Sequence, residues 1–268
     1  MSVHPIRTVQ RYRTIWISDV HLGTRGCQAE KLIDFLKRHE CEAMYLVGDI
    51  IDGWRLKKNG HWPNTHNDVL QWVLRRASAG TRVTYLPGNH DEVARPWCNM
   101  QFGGIAIADE AVHETPDGRR LLVVHGDGFD AIIKHACWLA HLGERACQVA
   151  THANVVLNLA RRSLGFGEWS LSAYLKQVVK DALETIAKFE RALADEARRR
   201  GFDGVVCGHI HHPQIRTIDG VLYCNTGDWV ENCTALIEDH NGRIELVRWD
   251  AAEAAARPSL GPIAAAAS

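Results

Sequence analysis

The sequence predicts an α/β protein built in layers, with its chemistry gathered at strand ends. Three observations carry this reading. Short apolar runs recur along the chain, and each stops on a polar tip. Amphipathic helix patterns separate the early runs, as in layered α/β folds. A long helical block, about residues 131–200, falls between the fourth and fifth runs. In open α/β sheets ligands gather beyond the carboxyl ends of the strands, so the polar tips are the places to look for function.

The elements follow in order. "RTIWISDVHLG" (13–23) is an apolar strand ending on Ser18-Asp19, and "AEKLIDFLKRHE" is a helix with Leu32, Ile33, Phe35 and Leu36 on one face. "EAMYLVGDIIDGW" (42–54) is a second strand ending on an aspartate. "HNDVLQWVLRRASAGT" is a helix that Asn67 or Asp68 would cap. "RVTYLPGNHD" (82–91), "RLLVVHGDGFD" (120–130) and "GVVCGHIHH" (204–212) are the third to fifth strands. Three more follow at "GVLYCNTGDW", "TALIED" and "RIELVRWD". Within the helical block, Leu171, Leu175, Val178, Ala182, Ile186, Phe189 and Leu193 form one stripe, with Lys and Glu on the other face. A second helical stretch, roughly 131–164, is rich in Ala, Leu and Val. The block is expected to be an insertion packed over the strand ends. Residues 1–250 then read as a single domain, and 251–268 as a low-complexity, disordered tail.

Composition narrows the partners. The chain has 268 residues, 46% of them hydrophobic, enough for one large core. Lys+Arg 31 nearly cancels Asp+Glu 32, so net charge makes no case for nucleic acid. The eight cysteines form no C-x-x-C pair and sit in apolar or helical stretches, as buried thiols rather than a disulfide framework. The N-terminus lacks the apolar region of an export signal, and no stretch approaches the ~18 apolar residues of a membrane span. A cytoplasmic protein is expected, at most peripheral to the inner membrane.

Five strand ends carry the candidate chemistry: Asp19-Val20-His21, Gly48-Asp49 with Asp52, Gly88-Asn89-His90-Asp91, His125-Gly126, and Gly208-His209-Ile210-His211. Glycine lies beside four of them, where it permits sharp turns and close approach. The donors are imidazole nitrogens, carboxylate oxygens and an amide oxygen, without cysteine. That mixture suits Mn, Fe or Zn. Seven donors exceed what one tetrahedral ion needs and fit two, with a shared carboxylate. Two ions ~3.5–4 Å apart are the usual clamp for phosphoryl hydrolysis.

Each motif alone is weak, but D-x-H, G-D-x-x-D, G-N-H-D, H-G and G-H-x-H in this order resemble the calcineurin-like metallophosphoesterases over about residues 14–235. The resemblance implies a layered α/β/β/α sandwich with an inserted helical lid. It implies two divalent ions, Mn first, with Fe or Zn as alternatives. Asp19, His21 and His211 would hold one ion, Asn89, His125 and His209 the other, and Asp49 would bridge them. His90 would face the phosphate or its leaving group, with Asp52 orienting it. "ISDVHLG" and "GDIIDGW" further resemble the UDP-2,3-diacylglucosamine hydrolase group of bacterial lipid A synthesis, which cleaves a pyrophosphate to UMP and a lipid monophosphate. Gly53 stands where protein phosphatases typically carry Arg. The best-known branch of the lipid group carries Arg where this chain has His90. The expected partner is thus a phosphoester substrate, with a lipid-linked nucleotide diphosphate leading and other phosphoesters as the alternative.

The remaining candidates have bland readings beside the functional ones. Asp130, Arg161 and Arg162 are candidate substrate contacts, against turn acids and a solvated helix end. Asp127 would support His125 or form an ordinary acidic turn. Asn225 and Asp228 read as hydrogen-bonding support behind the site, and His212 as an exposed loop histidine. Trp138, Leu139, Leu142 and Trp169 read as core before they read as an acyl-chain groove. A non-catalytic binding protein of the same fold ranks lower because all seven ligand positions are filled. A structural zinc domain ranks lower still, because such sites favour closely spaced cysteines.

Overall fold

The computed structural model describes residues 9–132 and 171–249. The expected tail and the helical stretch at roughly 131–164 lie almost wholly outside them.

Two sheets form the middle of the molecule. In the first, β1 (Gln10–Ile17), β2 (His39–Val47), β3 (Arg82–Leu86) and β5 (Ile105–Ile107) run parallel. β4 (Gln101–Phe102) closes one edge antiparallel to β5, and β11 (Thr234–Glu238) and β12 (Ile244–Arg248) complete the other. In the second, β7 (Arg120–Val124), β8 (Gly204–Cys207) and β10 (Val221–Asn225) run parallel, flanked by β6 (Glu110–Glu114) and β9 (Gln214–Ile218).

The period-2 alternation of the strands decides which layer each side chain joins. Trp16 of β1, Val47 of β2, Leu86 of β3 and Leu236 of β11 meet Leu121 and Val123 of β7, Val206 of β8 and Cys224 of β10 in one buried cluster between the sheets. Their neighbours face the other way. Ile15, Ile17, Met44 and Leu46 pack under α1 (Ala29–Arg38) and α3 (Asn64–Ser78). Leu122, Val205 and Cys207 pack under α4 (Leu171–Arg199). The order of layers is therefore helix, sheet, sheet, helix, as the family resemblance implies. The described part of the helical block is itself the fourth layer: Ala182, Ile186, Phe189 and Leu193 are buried against the second sheet, at the predicted stripe positions.

Several boundaries differ from the sequence reading, for local reasons. The second strand stops at Val47, because Asp52 accepts the backbone N–H of Arg55 at 2.7 Å and starts a short helix, α2 (Gly53–Asn59). Neither Asn67 nor Asp68 caps α3. The helix begins at Asn64, directly after Pro63, whose φ of −72° already suits a helix start and whose carbonyl accepts the His66 N–H at 3.0 Å. β4, β5, β6 and β9 were not legible as strands, since β4 and β5 have only two and three residues and β6 and β9 are mostly polar. The thiols of Cys41, Cys207 and Cys224 are buried, and burial pushes each up to about 12, which keeps them unreactive.

Leu121 is fully buried between the sheets. Leu121→Ala is expected to lower the stability of the metal-free protein by about 2–5 kcal/mol. Urea denaturation should show this as a lower midpoint at unchanged slope.

Candidate metal centre

The parallel strands of both sheets deliver their carboxyl ends to one place. Asp19 and His21 follow β1, Asp49 follows β2, Asn89 and His90 follow β3, His125 follows β7, and His209 and His211 follow β8. The loops are tied to one another through the backbone. Asp19 N–H donates to Gly48 O (3.0 Å), His21 N–H to Asp49 O (2.9 Å), Gly208 N–H to His125 O (3.1 Å) and Gly53 N–H to His90 O (2.9 Å).

Five of these residues sit in the left-handed region: Asp19 (φ 50°), His21 (53°), Asp49 (53°), His209 (68°) and His211 (52°). Non-glycine residues hold that conformation at a cost of order 1–3 kcal/mol each, and such strain clusters at functional sites. The backbone bonds just named offset it. Glycines admit the side chains. A Cβ on Gly48, itself at φ 81°, would run into the His125 ring, and one on Gly88 would meet both Asp49 and His125.

The side chains converge in three overlapping groups. Asp19, His21 and His211 bring one ligand atom each within 4.8 Å of one another. So do Asp49, His125 and His209, and so do His21, Asp49 and His90. Asp49 lies between the first two groups, with its carboxylate 3.8 Å from His21 Nε2 on one side and 3.5 Å from His125 Nε2 on the other. Asn89 is the remaining predicted ligand, and its Oδ1 is buried with no hydrogen-bond partner among the described residues. The same holds for His125 Nε2. Buried polar atoms are nearly always satisfied, so an orphaned Asn89 Oδ1 and an orphaned His125 Nε2, the latter grouped with Asp49 and His209, fit a centre completed by cations. The donor set, hard oxygens with imidazoles, suits divalent ions of the Mn, Fe or Zn kind.

Outer contacts orient the rings. His125 Nδ1 donates to Val47 O at 2.8 Å, which turns Nε2 toward Asp49. Asp52 Oδ2 stands 3.0 Å from His90 Nδ1 and 3.3 Å from His21 Nδ1, so it orients a second histidine besides the expected one. Burial would raise the Asp52 carboxyl, but His21, the Arg55 N–H and His90 override it and hold it down at about 2. Burial likewise pulls the His125 imidazole down, yet Asp49 and Asp19 raise it to about 10. Asp19 and Asp228 raise His211 to about 9 against its own burial.

Among the supporting residues, Asp91, Trp54 and Asn232 carried no assigned role in the sequence reading. Asp91 is buried, and its carboxylate accepts the N–H groups of Gly88, Asp49, Ile50 and Ile51, clamping the β2 loop to the β3 loop. Its place in the G-N-H-D motif was the available signal. Trp54 lies over His90 with ring centroids 4.2 Å apart. Asn225 Nδ2 donates to Gly208 O at 2.8 Å, and Asn232 Nδ2 to His211 O at 3.0 Å. Asp228 accepts the N–H groups of Val230, Glu231 and Asn232 and lies 4.0 Å from His211 Nδ1. Asn225 and Asp228 thus brace the site from behind. Asp127 pairs with Arg95 at 2.5 Å. Of the candidate substrate contacts, Arg161 and Arg162 lie outside the described residues, as does the side chain of Asp130.

Two outcomes follow from this geometry. Gly48→Ala should displace His125 and weaken Mn²⁺ binding by about tenfold or more, with the circular dichroism of the fold retained; an equilibrium metal titration reads this. The second concerns protons. In the metal-free protein His125 and His211 stay protonated at neutral pH, and their raised values mean the protons leave only as pH climbs through about 9 to 10. A cation must displace those protons. Calorimetry at pH 7 in buffers of different ionisation enthalpy should therefore show proton release on metal uptake, and metal affinity should fall as the solution is acidified.

The comparisons with known proteins agree with this geometry. A UDP-2,3-diacylglucosamine hydrolase of Xanthomonas campestris pv. campestris is 27% identical over 248 residues, covering 85% of this chain and 96% of its own. One from Xanthomonas oryzae pv. oryzae is 27% identical over 244 residues, with the same coverage. One from Cellvibrio japonicus is 25% identical over 257 residues, covering 88% and 99%. The family model described as calcineurin-like phosphoesterase matches residues 12–213. The chain therefore belongs to the calcineurin-like phosphoesterases, enzymes that hydrolyse phosphoester bonds with divalent metal ions.

Proposed function

We propose that this chain hydrolyses the pyrophosphate of a lipid-linked nucleotide diphosphate of the UDP-2,3-diacylglucosamine type, releasing UMP and a lipid monophosphate. The observation that carries the hydrolytic part is the convergence of Asp19, His21 and His211 in one group and of Asp49, His125 and His209 in another, with Asp49 reaching His21 as well and Asn89 Oδ1 and His125 Nε2 left without partners. The substrate class is supported by the relatives named above, which align with nearly their whole length. Among the described residues no helix is long and apolar enough to cross a membrane. We place the reaction in the cytoplasm, at most against the inner face of the membrane.

In this reading Asp19, His21 and His211 would hold one cation, Asn89, His125 and His209 would hold the other, and Asp49 would serve both. When bound, two divalent cations supply Lewis-acid activation of water and neutralise charge on the phosphoryl oxygens, with Mn²⁺ as the leading candidate. The protein's own groups do the rest. The fixed imidazoles and carboxylates set the cradle before substrate arrives, so little reorganisation is needed during reaction. His90 keeps Nδ1–H on Asp52, which leaves Nε2 facing the cradle, 3.9 Å from Asp49. In its protonated form His90 donates from Nε2 to the leaving oxygen. His90 is partly exposed, as a group that meets substrate must be.

The test is hydrolysis of UDP-2,3-diacylglucosamine by purified protein with Mn²⁺, run beside bis-p-nitrophenyl phosphate. UMP release much faster than the generic reaction supports the lipid substrate, whereas generic activity alone removes that substrate and keeps the metal centre. A chain that takes up metal but hydrolyses neither would be a binding protein. Within an active enzyme, His90→Ala should lower turnover by about 10²–10⁴-fold with metal content intact, and Asp49→Ala should lose metal and activity together.

A further inference from the structure

Glu190 of α4 is a charged group buried next to the candidate centre, and the reaction as proposed does not use it. It is 2% exposed. Its Oε2 pairs with Arg216 of β9 at 2.7 Å. Its Oε1 is buried and has no hydrogen-bond partner among the described residues, and the same is true of His212 Nδ1. These two orphaned atoms face each other at 3.6 Å. That is about 0.4 Å beyond the usual N–H···O range. A buried carboxylate is costly unless its charge is balanced and its oxygens are bonded. Arg216 balances the charge, and His212 is the donor within reach of the second oxygen.

His212 is joined directly to His211 and lies three positions after His209. These histidines belong to different groups: His211 stands with Asp19 and His21, and His209 with Asp49 and His125. The loop is already held from the β10 side, by Asn225 on Gly208 O and by Asn232 on His211 O. From the α4 side it meets Glu190 and its neighbour Phe189. The Phe189 ring lies 6.2 Å from that of His209, and it occupies the space that a Cβ on Gly126 would need. One turn of α4 therefore abuts both histidine loops of the second sheet.

We infer that Glu190 is a positioning residue for the metal centre. It accepts the His212 Nδ1–H while paired with Arg216, and so clamps the 208–213 loop against α4 and fixes His209 and His211 for the two cations. The inference rests on the two-metal reading above, and its test separates the two.

Metal-stripped full-length protein is titrated with Mn²⁺, following bound ions by calorimetry and electron paramagnetic resonance. The unsubstituted chain should take up two ions. Glu190→Gln, which keeps size and removes charge, and His212→Ala should each weaken uptake by about tenfold, the usual effect of losing a group that orients a ligand. The double variant should be no weaker than the worse single one, because both act through one contact. Excess Mn²⁺ should restore turnover of bis-p-nitrophenyl phosphate in Glu190→Gln. If Glu190→Gln fails to fold, His212→Ala carries the test alone, since that side chain is partly exposed. Variants that titrate like the unsubstituted chain, with or without a lower melting temperature, overturn the positioning role. An unsubstituted chain that binds fewer than two ions overturns the two-metal reading instead.

Discussion

The close approach of Asp49 and His125 across the gap between the two sheets is the contact on which the rest of the site depends. Asp49 comes from the first sheet and His125 from the second, and their ligand atoms stand 3.5 Å apart. Two packed sheets ordinarily keep about 10 Å between their backbones, filled here by Trp16, Val47, Leu121 and their partners. The side chains can close that distance only at the strand ends, where Gly48 and Gly88 leave room for the imidazole. Everything else in the centre is arranged around this contact. The β1 loop adds Asp19 and His21 from one side, and the β8 loop adds His209 and His211 from the other.

Holding unpaired acceptors and strained loops together requires a firm frame. Asp91 supplies part of it by gathering four backbone N–H groups from the loops after β2 and β3. Asp52 adds a second tie, since its carboxylate reaches two imidazoles and the first turn of α2. Asn225, Asp228 and Asn232 do the same work behind the second sheet's loops. These groups are all buried or half-buried, and their bonds are satisfied. Asn89 Oδ1 and His125 Nε2, by contrast, are orphaned atoms of the candidate ligands themselves. That division, a saturated outer layer around an unsaturated middle, is what a cation site needs before the cation arrives.

Much of this was legible in the sequence because chemistry and topology coincide. Each candidate ligand sits just past an apolar run, and parallel strands send those ends to the same edge. The order of motifs therefore located the site before any contact was known. Other features had no such signal. Positive φ at Asp19 or His211 is invisible in a residue type that seldom adopts it. The edge strands β6 and β9 carry no clear strand signal because each sets two apolar residues among polar ones. Glu190 looked like one more acid on the polar side of a helix, whereas the structure buries it. Its partners, His212 and Arg216, lie more than twenty positions away and are brought near only by packing. For His212 the bland reading as an exposed loop residue gave way to a half-buried ring facing that carboxylate.

The central claim is that two cations lie on either side of the Asp49 carboxylate. Anomalous diffraction from crystals grown with Mn²⁺ tests it most directly. The account predicts two peaks sharing Asp49, one beside Asp19, His21 and His211 and the other beside Asn89, His125 and His209. A single peak, or two peaks that do not share Asp49, would contradict it.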